Sequence, residues 1–460
     1  MLFKISPKDN VEVDLSTGHK RATCDIAQGE NVIKYGFPIG HATEDIPAGA
    51  HVHTHNLKTN LNDKLTYFYT PQFEELAPLE EKTFLGYLRE DGQAGIRNDI
   101  WIIPTVGCVN KVAEEIAKTT DALAFVHPFG CSQLGDDQTV TQQILSGLIH
   151  HPNAGGVLVL GLGCENNNIA ELKKVLGDYN PDRVKFLIAQ DAEDEVQAGI
   201  ALVTELKSYA SRFQRQAISV SKLKVGLKCG GSDGLSGITA NPLVGRFSDL
   251  LIAHGGTSVL TEVPEMFGAE TLLMNRCESE EVFDKTVALI NDFKDYFTRH
   301  NQVIYENPSP GNKAGGISTL EEKSLGCVQK GGTSKVVDVL NYGDRLEKPG
   351  LNLLNGPGND IVAITNLTAA GAHMILFTTG RGTPVGAPVP TVKIATNSAL
   401  AEKKSRWIDF NAGVLAEGAL MDEVAEQLFD FCMAIAEGKE TKNELHGYRE
   451  ISIFKDGVTL

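Results

Sequence analysis

A chain of 460 residues exceeds what one hydrophobic core supports and suits two or three domains. Its 42% hydrophobic and 22% charged residues are ordinary for a globular enzyme, and no run of eighteen apolar residues is present to span a bilayer. The net charge of −17, with no Lys/Arg cluster, argues against nucleic acid as a partner, because phosphate binding needs a concentrated basic face.

The opening segment MLFKISPKDN lacks the apolar stretch of a secretory signal, so a cytoplasmic protein is expected. Residues 1–70 carry short β-rich runs (VEVDL, NVIKYGFPIG, HVHTHNL) broken by glycine and proline, which predicts a small β domain. Residues 71–82 combine prolines and glutamates with little to bury, the composition of a linker. From 83 to 220, strand-like runs such as DIWIIPTVG and GGVLVLGLG alternate with amphipathic stretches such as NKVAEEIAKTT. That alternation predicts β-α units on a mostly parallel sheet. A second series, opening with KVGLKCGGSD and filling residues 221–460, predicts another such domain. The expected class is α/β: a small N-terminal β domain followed by two α/β domains.

In open α/β sheets, ligands bind beyond the carboxyl ends of strands. The residues in those places here are Cys108 after IIPTVG, His127 and Cys131 in HPFGCSQ, Cys164 and Glu165 in GLGCE, and Cys229 in CGGSD. One cysteine so placed is ordinarily packing, whereas four in equivalent positions point to a shared site. The eight cysteines have no CxxC and no regular spacing, which disfavours both a disulfide scaffold and a zinc ribbon. Thiolate with imidazole suits iron or zinc better than calcium or magnesium. The first domain adds His19 in GHKRA and His51, His53 and His55 in HVHTHN, which alternation along a strand would place on one face.

Glycine-rich turns (GGSDGLSGITANP, NPSPGN, QKGGTSK, NGPGND, TTGRGTP) let backbone N–H groups approach an oxyanion. Ser232, Asp233, Thr239 and Asn241 are the candidates to hold substrate hydroxyls, and Arg246 and Arg381 to hold a carboxylate through a planar fork. Tight turns with surface arginines are the plainer alternative. Gly161-x-Gly163-x-x-Asn166 after VLVLG resembles a dinucleotide fingerprint, but asparagine replaces the third glycine and Asp191 lies several residues too far along. A dinucleotide-dependent oxidoreductase is therefore a remote alternative, and a non-catalytic binding role fits poorly with so many reactive loop residues.

Together, GHKRA, FxGYxRxDGxxGxRN, HPFGCSQ, GLGCE, CGGSDxxSGITANPxxGxxSD, TEVPE, NPSPGNxxGG and FTTGRGTP resemble the altronate and galactarate dehydratase family, from about Gly18 to about Gly413. The resemblance implies an SAF-type first domain and a hydro-lyase that removes water from a sugar acid. It also implies iron; the alternatives are a labile iron–sulfur cluster or another divalent metal. HVHTHN and the LGC at Cys327 are similar to the altronate members, so the expected reaction converts D-altronate into 2-dehydro-3-deoxy-D-gluconate. Galactarate or another hydroxy acid is the alternative, since the family includes a sulfolactate sulfo-lyase and performs β-elimination in general.

Dehydration needs one base and one acid, for which His19, Lys20 and His127 are the candidates. The ion has two candidate ligand sets: His19 with His53 or His55, or the thiols Cys108, Cys131 and Cys164 holding a cluster. The expected partner is the small-molecule substrate, with no nucleic acid or membrane, and a homo-oligomer is allowed.

Overall fold

The computed structural model describes residues 1–61 and 64–460; positions 62 and 63, inside the predicted first domain, lie outside the described residues. In the first domain the alternation of VEVD buries Val11 and Val13 and leaves Glu12 and Asp14 half-buried, as period two requires. Two small antiparallel sheets result. One runs in the order Leu2–Phe3, Val11–Asp14, Lys20–Ala22, His51–Val52, and the other in the order Asn31–Lys34, Phe37–Ala42, Leu57–Lys58. Tyr35 and Gly36, both with positive φ, make the two-residue hairpin of the second sheet. Residues 71–82 form no helix or strand and lie along the C-terminal region, where the Gln72 N–H reaches the Asn275 carbonyl and the Leu79 N–H the Ala253 carbonyl.

The middle region is built on a four-stranded parallel sheet, ordered Leu123–Ala124, Asp99–Pro104, Ala154–Gly161, Val184–Ile188. Strand Ala154–Gly161 is buried along its whole length, because both faces are covered and nothing favours polar alternation. Leu158 and Leu160 face helices Asn110–Thr120 and Glu195–Ala210. Val157 and Val159 face Asp136–Ile149 and Ile169–Leu176 on the other side. A three-stranded antiparallel sheet of Gln216–Ser219, Thr83–Leu88 and Ala94–Gly95 flanks this unit.

The C-terminal region carries a seven-stranded parallel sheet. Its order is Val336–Leu340, Gly350–Leu354, Thr257–Leu260, Lys224–Cys229, Met374–Thr379, Thr391–Ala395, Phe410–Asn411. The first strand in sequence, Lys224–Cys229, is central. The next three lie on one side, with Gly350–Leu354 between Thr257–Leu260 and the edge strand Val336–Leu340, and the chain then crosses to place Met374–Thr379 on the other. The strand order reverses between these two neighbours, which opens a crevice at their carboxyl ends.

The cores cross the region boundaries. Ile144 and Leu148 of helix Asp136–Ile149 share one apolar cluster with Ile364, Leu367 and Phe377 of the C-terminal region. Gly147 makes that contact close: a Cβ there would stand 2.4 Å from the Ala369 carbonyl oxygen. Val32 and Ile39 of the first domain likewise belong to one cluster with Leu325 and Phe267. The architecture is the expected mixed α/β class with parallel sheets in the later regions. Among the described residues, no helix is long and apolar enough to cross a membrane.

Candidate functional site

Three groups of chemically capable residues emerge from this frame, the first at the edge of the N-terminal domain. Strand His51–Val52 ends early and residues 53–56 form a turn, so the one-face alternation of the three histidines does not extend beyond Val52. The turn still keeps the rings together, with centroids 5.2 Å apart for His19 and His51, 5.5 Å for His19 and His53, and 5.7 Å for His51 and His53. His19 Nδ1 and His51 Nε2 are 3.2 Å apart. Two nitrogens each about 2.1 Å from one ion are separated by about 3 Å, so this pair has the spacing of adjacent ligands. His55 stacks on the His51 ring at 5.5 Å. His53 Nδ1 bonds Ser318 Oγ at 2.7 Å, and burial, with the Lys20 cation beside it, pushes its pKa down to about 4, so the ring is neutral.

Lys20 is fully buried beneath these rings. Its Nζ donates to the Gly316 carbonyl (2.9 Å) and to Ser318 Oγ (2.7 Å), and it pairs with Glu322 Oε2 (2.8 Å). Lys34 holds the other Glu322 oxygen at 2.8 Å. Burial opposes charge on Glu322, but the two ammonium groups hold it down to about 2, while burial brings Lys20 to about 8. The GHKRA loop rests on the GGSDGLSG loop, where a Cβ at Gly234 would stand 1.9 Å from the Gly18 carbonyl oxygen.

The second group lies at the carboxyl edge of the four-stranded sheet. Cys108, Cys131 and Cys164 are all exposed, on loops joined by backbone bonds from the Gly107 N–H to the Phe129 carbonyl and from the Asn167 N–H to the Gly130 carbonyl. The Ser132 N–H also reaches Asn166 Oδ1 at 2.8 Å.

The third group occupies the crevice of the seven-stranded sheet, a cleft of about 450 Å³ lined by Cys229, Gly230, Gly231, Glu265, Asn307, Ser309, Asn312, Lys323, Asn359 and Asp360, among others. A buried ionic network forms its floor. Lys228 pairs with Glu262 (2.5 Å) and Asp360 (2.7 Å), and Lys323 with Glu265 (2.9 Å). Lys330 Nζ donates to Cys229 Sγ at 2.8 Å. Cys229 Sγ is 3.0 Å from Glu265 Oε2 and 3.4 Å from Cys327 Sγ. Cys229, Glu265 and Cys327 thus bring one donor atom each within 4.8 Å of one another and form a possible metal site. Lys330 and Lys323 already hold two of these donors, so a divalent ion would have to displace or repel both ammonium groups.

The predicted substrate groups take several places. Ser232 is buried, and its carbonyl accepts from Asn312 Nδ2 at 2.8 Å. Asp233 accepts from the Leu235 N–H, Ser236 Oγ, Thr396 Oγ1 and Asn397 Nδ2, which fixes the turn. Thr239 donates to the Thr396 carbonyl, and Asn241 bridges Thr378 Oγ1 and the Gly326 carbonyl. These four hold the loops beneath the cleft. Arg381 is exposed beside Gly231, and its guanidinium makes no hydrogen bond or ion pair among the described residues.

Two of the predicted side chains are engaged by the protein itself. Arg246 lies on the surface with its guanidinium on Asp422 Oδ1 at 2.7 Å, because its helix turns that face to solvent. His127 is buried, with Nε2 bonded to the Pro104 carbonyl (2.8 Å) and Nδ1 accepting from the Phe129 N–H (3.2 Å). Both ring nitrogens serve the loop, and burial lowers the pKa to about 4.

The sequence reading missed Lys228, Glu262, Glu265, Lys323 and Lys330. A signal existed for Lys228, a cation inside the otherwise apolar strand KVGLKC. Lysine is almost never fully buried without a partner, so its presence there announces a carboxylate.

Three family models match the chain in order. They are the altronate/galactarate dehydratase SAF domain at 4–60, the D-galactarate dehydratase/altronate hydrolase second domain at 86–211, and the D-galactarate/altronate dehydratase C-terminal domain at 220–459. The chain is 57% identical to proteins named altronate dehydratase from Bacillus subtilis (strain 168), covering 98% of this chain and 93% of that one, and from Escherichia coli (strain K12), covering 97% and 93%. It is 34% identical to galactarate dehydratase (L-threo-forming) of Escherichia coli (strain K12), covering 92% of this chain and 86% of that one.

Proposed function

Because the chain belongs to the altronate/galactarate dehydratase family and is a sugar-acid dehydratase, we propose that it converts D-altronate into 2-dehydro-3-deoxy-D-gluconate. The observation that carries this choice is the 57% identity to two altronate dehydratases over nearly the whole chain, against 34% to the galactarate enzyme.

The chemistry asks for three things. The C2 proton is weakly acidic because the carboxylate beside it is already anionic, so positive charge must face that carboxylate as electrons move onto it. The C3 hydroxyl leaves only with a proton. The remaining hydroxyls need fixed partners. The cleft supplies a cation in Lys323 and hydrogen-bonding groups in Asn307, Ser309, Asn312 and Asn359, and exposed Arg381 stands beside its lining residue Gly231. Glycines 230 and 231 let the backbone approach closely.

Iron fits two sets of residues. His19, His51 and His53 offer ring-nitrogen donors at ligand-like spacing, with Lys20 and Ser318 fixing the ring of His53. Lys20 serves there as a positioning group, since its three N–H bonds are all engaged. The second set, Cys108, Cys131 and Cys164, is favoured by exposure on mutually bonded loops, and Phe129 of one of these loops packs on the same apolar cluster as Val385 of the cleft. When bound, iron supplies Lewis-acid charge for a carboxylate or hydroxyl oxygen.

The test is anaerobic incubation of iron-loaded protein with a panel of hexonates and hexarates, followed by assay of the 2-keto acid. D-altronate should be consumed fastest; faster turnover of galactarate would sink the assignment. Serine at each of the three thiols and alanine at His51 and His53 then separate the ligand sets. Iron lost only with the histidine changes identifies the nitrogen site, and iron lost with any single thiol identifies a cluster.

A further inference from the structure

The turn after strand Ala154–Gly161 departs from a dinucleotide fingerprint at Asn166, and its bonds show what it does instead. Asn166 Oδ1 accepts from the Ser132 N–H at 2.8 Å. Asn167 is fully buried and reaches two loops at once. Its N–H donates to the Gly130 carbonyl (2.9 Å) and its Nδ2 to the Thr105 carbonyl (2.9 Å). Glu165 accepts from Thr105 Oγ1 at 2.6 Å, and from the Leu162 and Gly163 N–H groups of its own turn at 3.0 and 2.6 Å. Thr105 leads into the loop of Cys108, Gly130 and Ser132 flank Cys131, and the turn itself carries Cys164. Three consecutive residues thus knit together the loops of all three exposed thiols.

Stability alone does not account for this knot. Glu165 is 3% exposed, and its carboxylate meets no cation among the described residues, an expensive state for a buried charge. Asn167 Oδ1 and Gln133 Nε2, on two of these loops, are buried without a hydrogen-bond partner among the described residues, each at the cost of its lost hydration. A lone buried anion next in sequence to a thiol is balanced by positive charge arriving at the sulfurs, which a bound metal centre brings. Ligands on separate mobile loops must be ordered at the moment of binding, whereas a knot of buried hydrogen bonds sets their places beforehand.

We propose that Glu165, Asn166 and Asn167 are positioning residues for a metal centre held by Cys108, Cys131 and Cys164. They fix the three loops relative to one another, and the Glu165 carboxylate offsets charge at the centre. This rests on the thiol set of ligands given above. Asn168, next in the chain, bonds neither of the other two loops. Its Oδ1 caps helix Ile169–Leu176 by accepting from the Glu171 N–H at 3.1 Å, so it separates a purely structural role from a positioning one.

The test uses the full chain, reconstituted anaerobically with ferrous iron and sulfide, and follows iron loss to a chelator together with the visible thiolate-to-iron absorption. Asn167→Ala and Glu165→Gln should each lose iron about tenfold or more faster than wild type, the lower end of what a group behind a metal ligand contributes. Asn168→Ala should unfold at lower urea yet keep its rate of iron loss within about twofold of wild type. A folded Asn167→Ala protein within about threefold of the wild-type rate overturns the proposal. So does an Asn168→Ala protein that matches Asn167→Ala, because any loosening of the turn would then have the same effect. Should Asn167→Ala not fold, Asn166→Ala at an exposed position carries the test: iron loss at least about threefold faster supports the proposal, and an unchanged rate overturns it. Failure of the ligand reading looks different: serine at Cys108, Cys131 and Cys164 leaves iron bound, and the proposal falls with it.

Discussion

The two parallel sheets present cysteine at the same topological place and in opposite surroundings. In the four-stranded sheet Cys108, Cys131 and Cys164 stand exposed on loops with little around the sulfurs: Cys164 meets the Gln190 amide at 3.5 Å, and Cys131 its neighbour's hydroxyl at 3.9 Å. In the seven-stranded sheet Cys229 is buried among ammonium and carboxylate groups, beside Cys327 at the end of helix Leu320–Cys327. A thiol with only weak protein contacts is suited to take an external ion, whereas one already held between a lysine and a carboxylate is committed to the protein's own network. Position after a strand marks where chemistry can occur, and the neighbours decide which kind.

That contrast can be broken most forcefully at Glu265, the carboxylate between Lys323 and Lys330. Glu265→Gln should cost about 3–5 kcal/mol of unfolding free energy, because two buried cations lose their partner. Urea denaturation reads this directly, and a loss below about 1 kcal/mol would mean that the network is wetter than its burial implies.

The join between the middle and C-terminal regions tests a buried pair with no reactive thiol. Arg97 grips both oxygens of Glu444, at 2.8 and 3.0 Å. Burial alone would raise the Glu444 carboxyl, but hydrogen bonding to Arg97 and the Arg97 charge outweigh it and hold the carboxyl below 4.5. A depressed folded pKa gives stability that is complete above the unfolded value and is lost as pH falls through the folded one. Wild type should therefore lose stability on acidification below about 4.5, and Glu444→Gln should flatten that limb of the curve. An unchanged acid limb would assign the loss to other carboxylates.

Gly147→Ala places a methyl group 2.4 Å from the Ala369 carbonyl and should cost about 1–3 kcal/mol by forcing two helices apart. The smallest effects are expected at the exposed thiols. Serine at Cys108, Cys131 or Cys164 should change the stability of the metal-free protein by about 0.5 kcal/mol or less, as for other exposed positions without special contacts. A larger loss in any of them would show that the loop thiols are structural after all.

The α/β class, the small N-terminal β domain and the parallel sheets were legible because they rest on local periodicity: two in VEVD, the unbroken apolar run of AGGVLVLG, the helical stripe of NKVAEEIAKTT. The histidine cluster was legible by composition, but its geometry was not, since the turn after Val52 replaces the strand that alternation assumed. The lysine and carboxylate floor of the cleft was invisible for a different reason. Lys228, Glu265 and Lys330 come from distant stretches of chain and meet only because three strand or helix ends converge on one crevice. For Arg246 and His127, residue type shows what a side chain can do, while Asp422 and the Pro104 carbonyl show what it is already doing.

The crossing that creates the crevice also sets a schedule for synthesis. Strand Lys224–Cys229 is made about halfway through synthesis, yet its partner Met374–Thr379 follows roughly 150 positions later. Until then one edge of this buried parallel strand stays open, and closing so long a loop is slow. The nascent chain therefore carries an unsealed sheet edge through that whole interval, exposed to association until the later strand arrives.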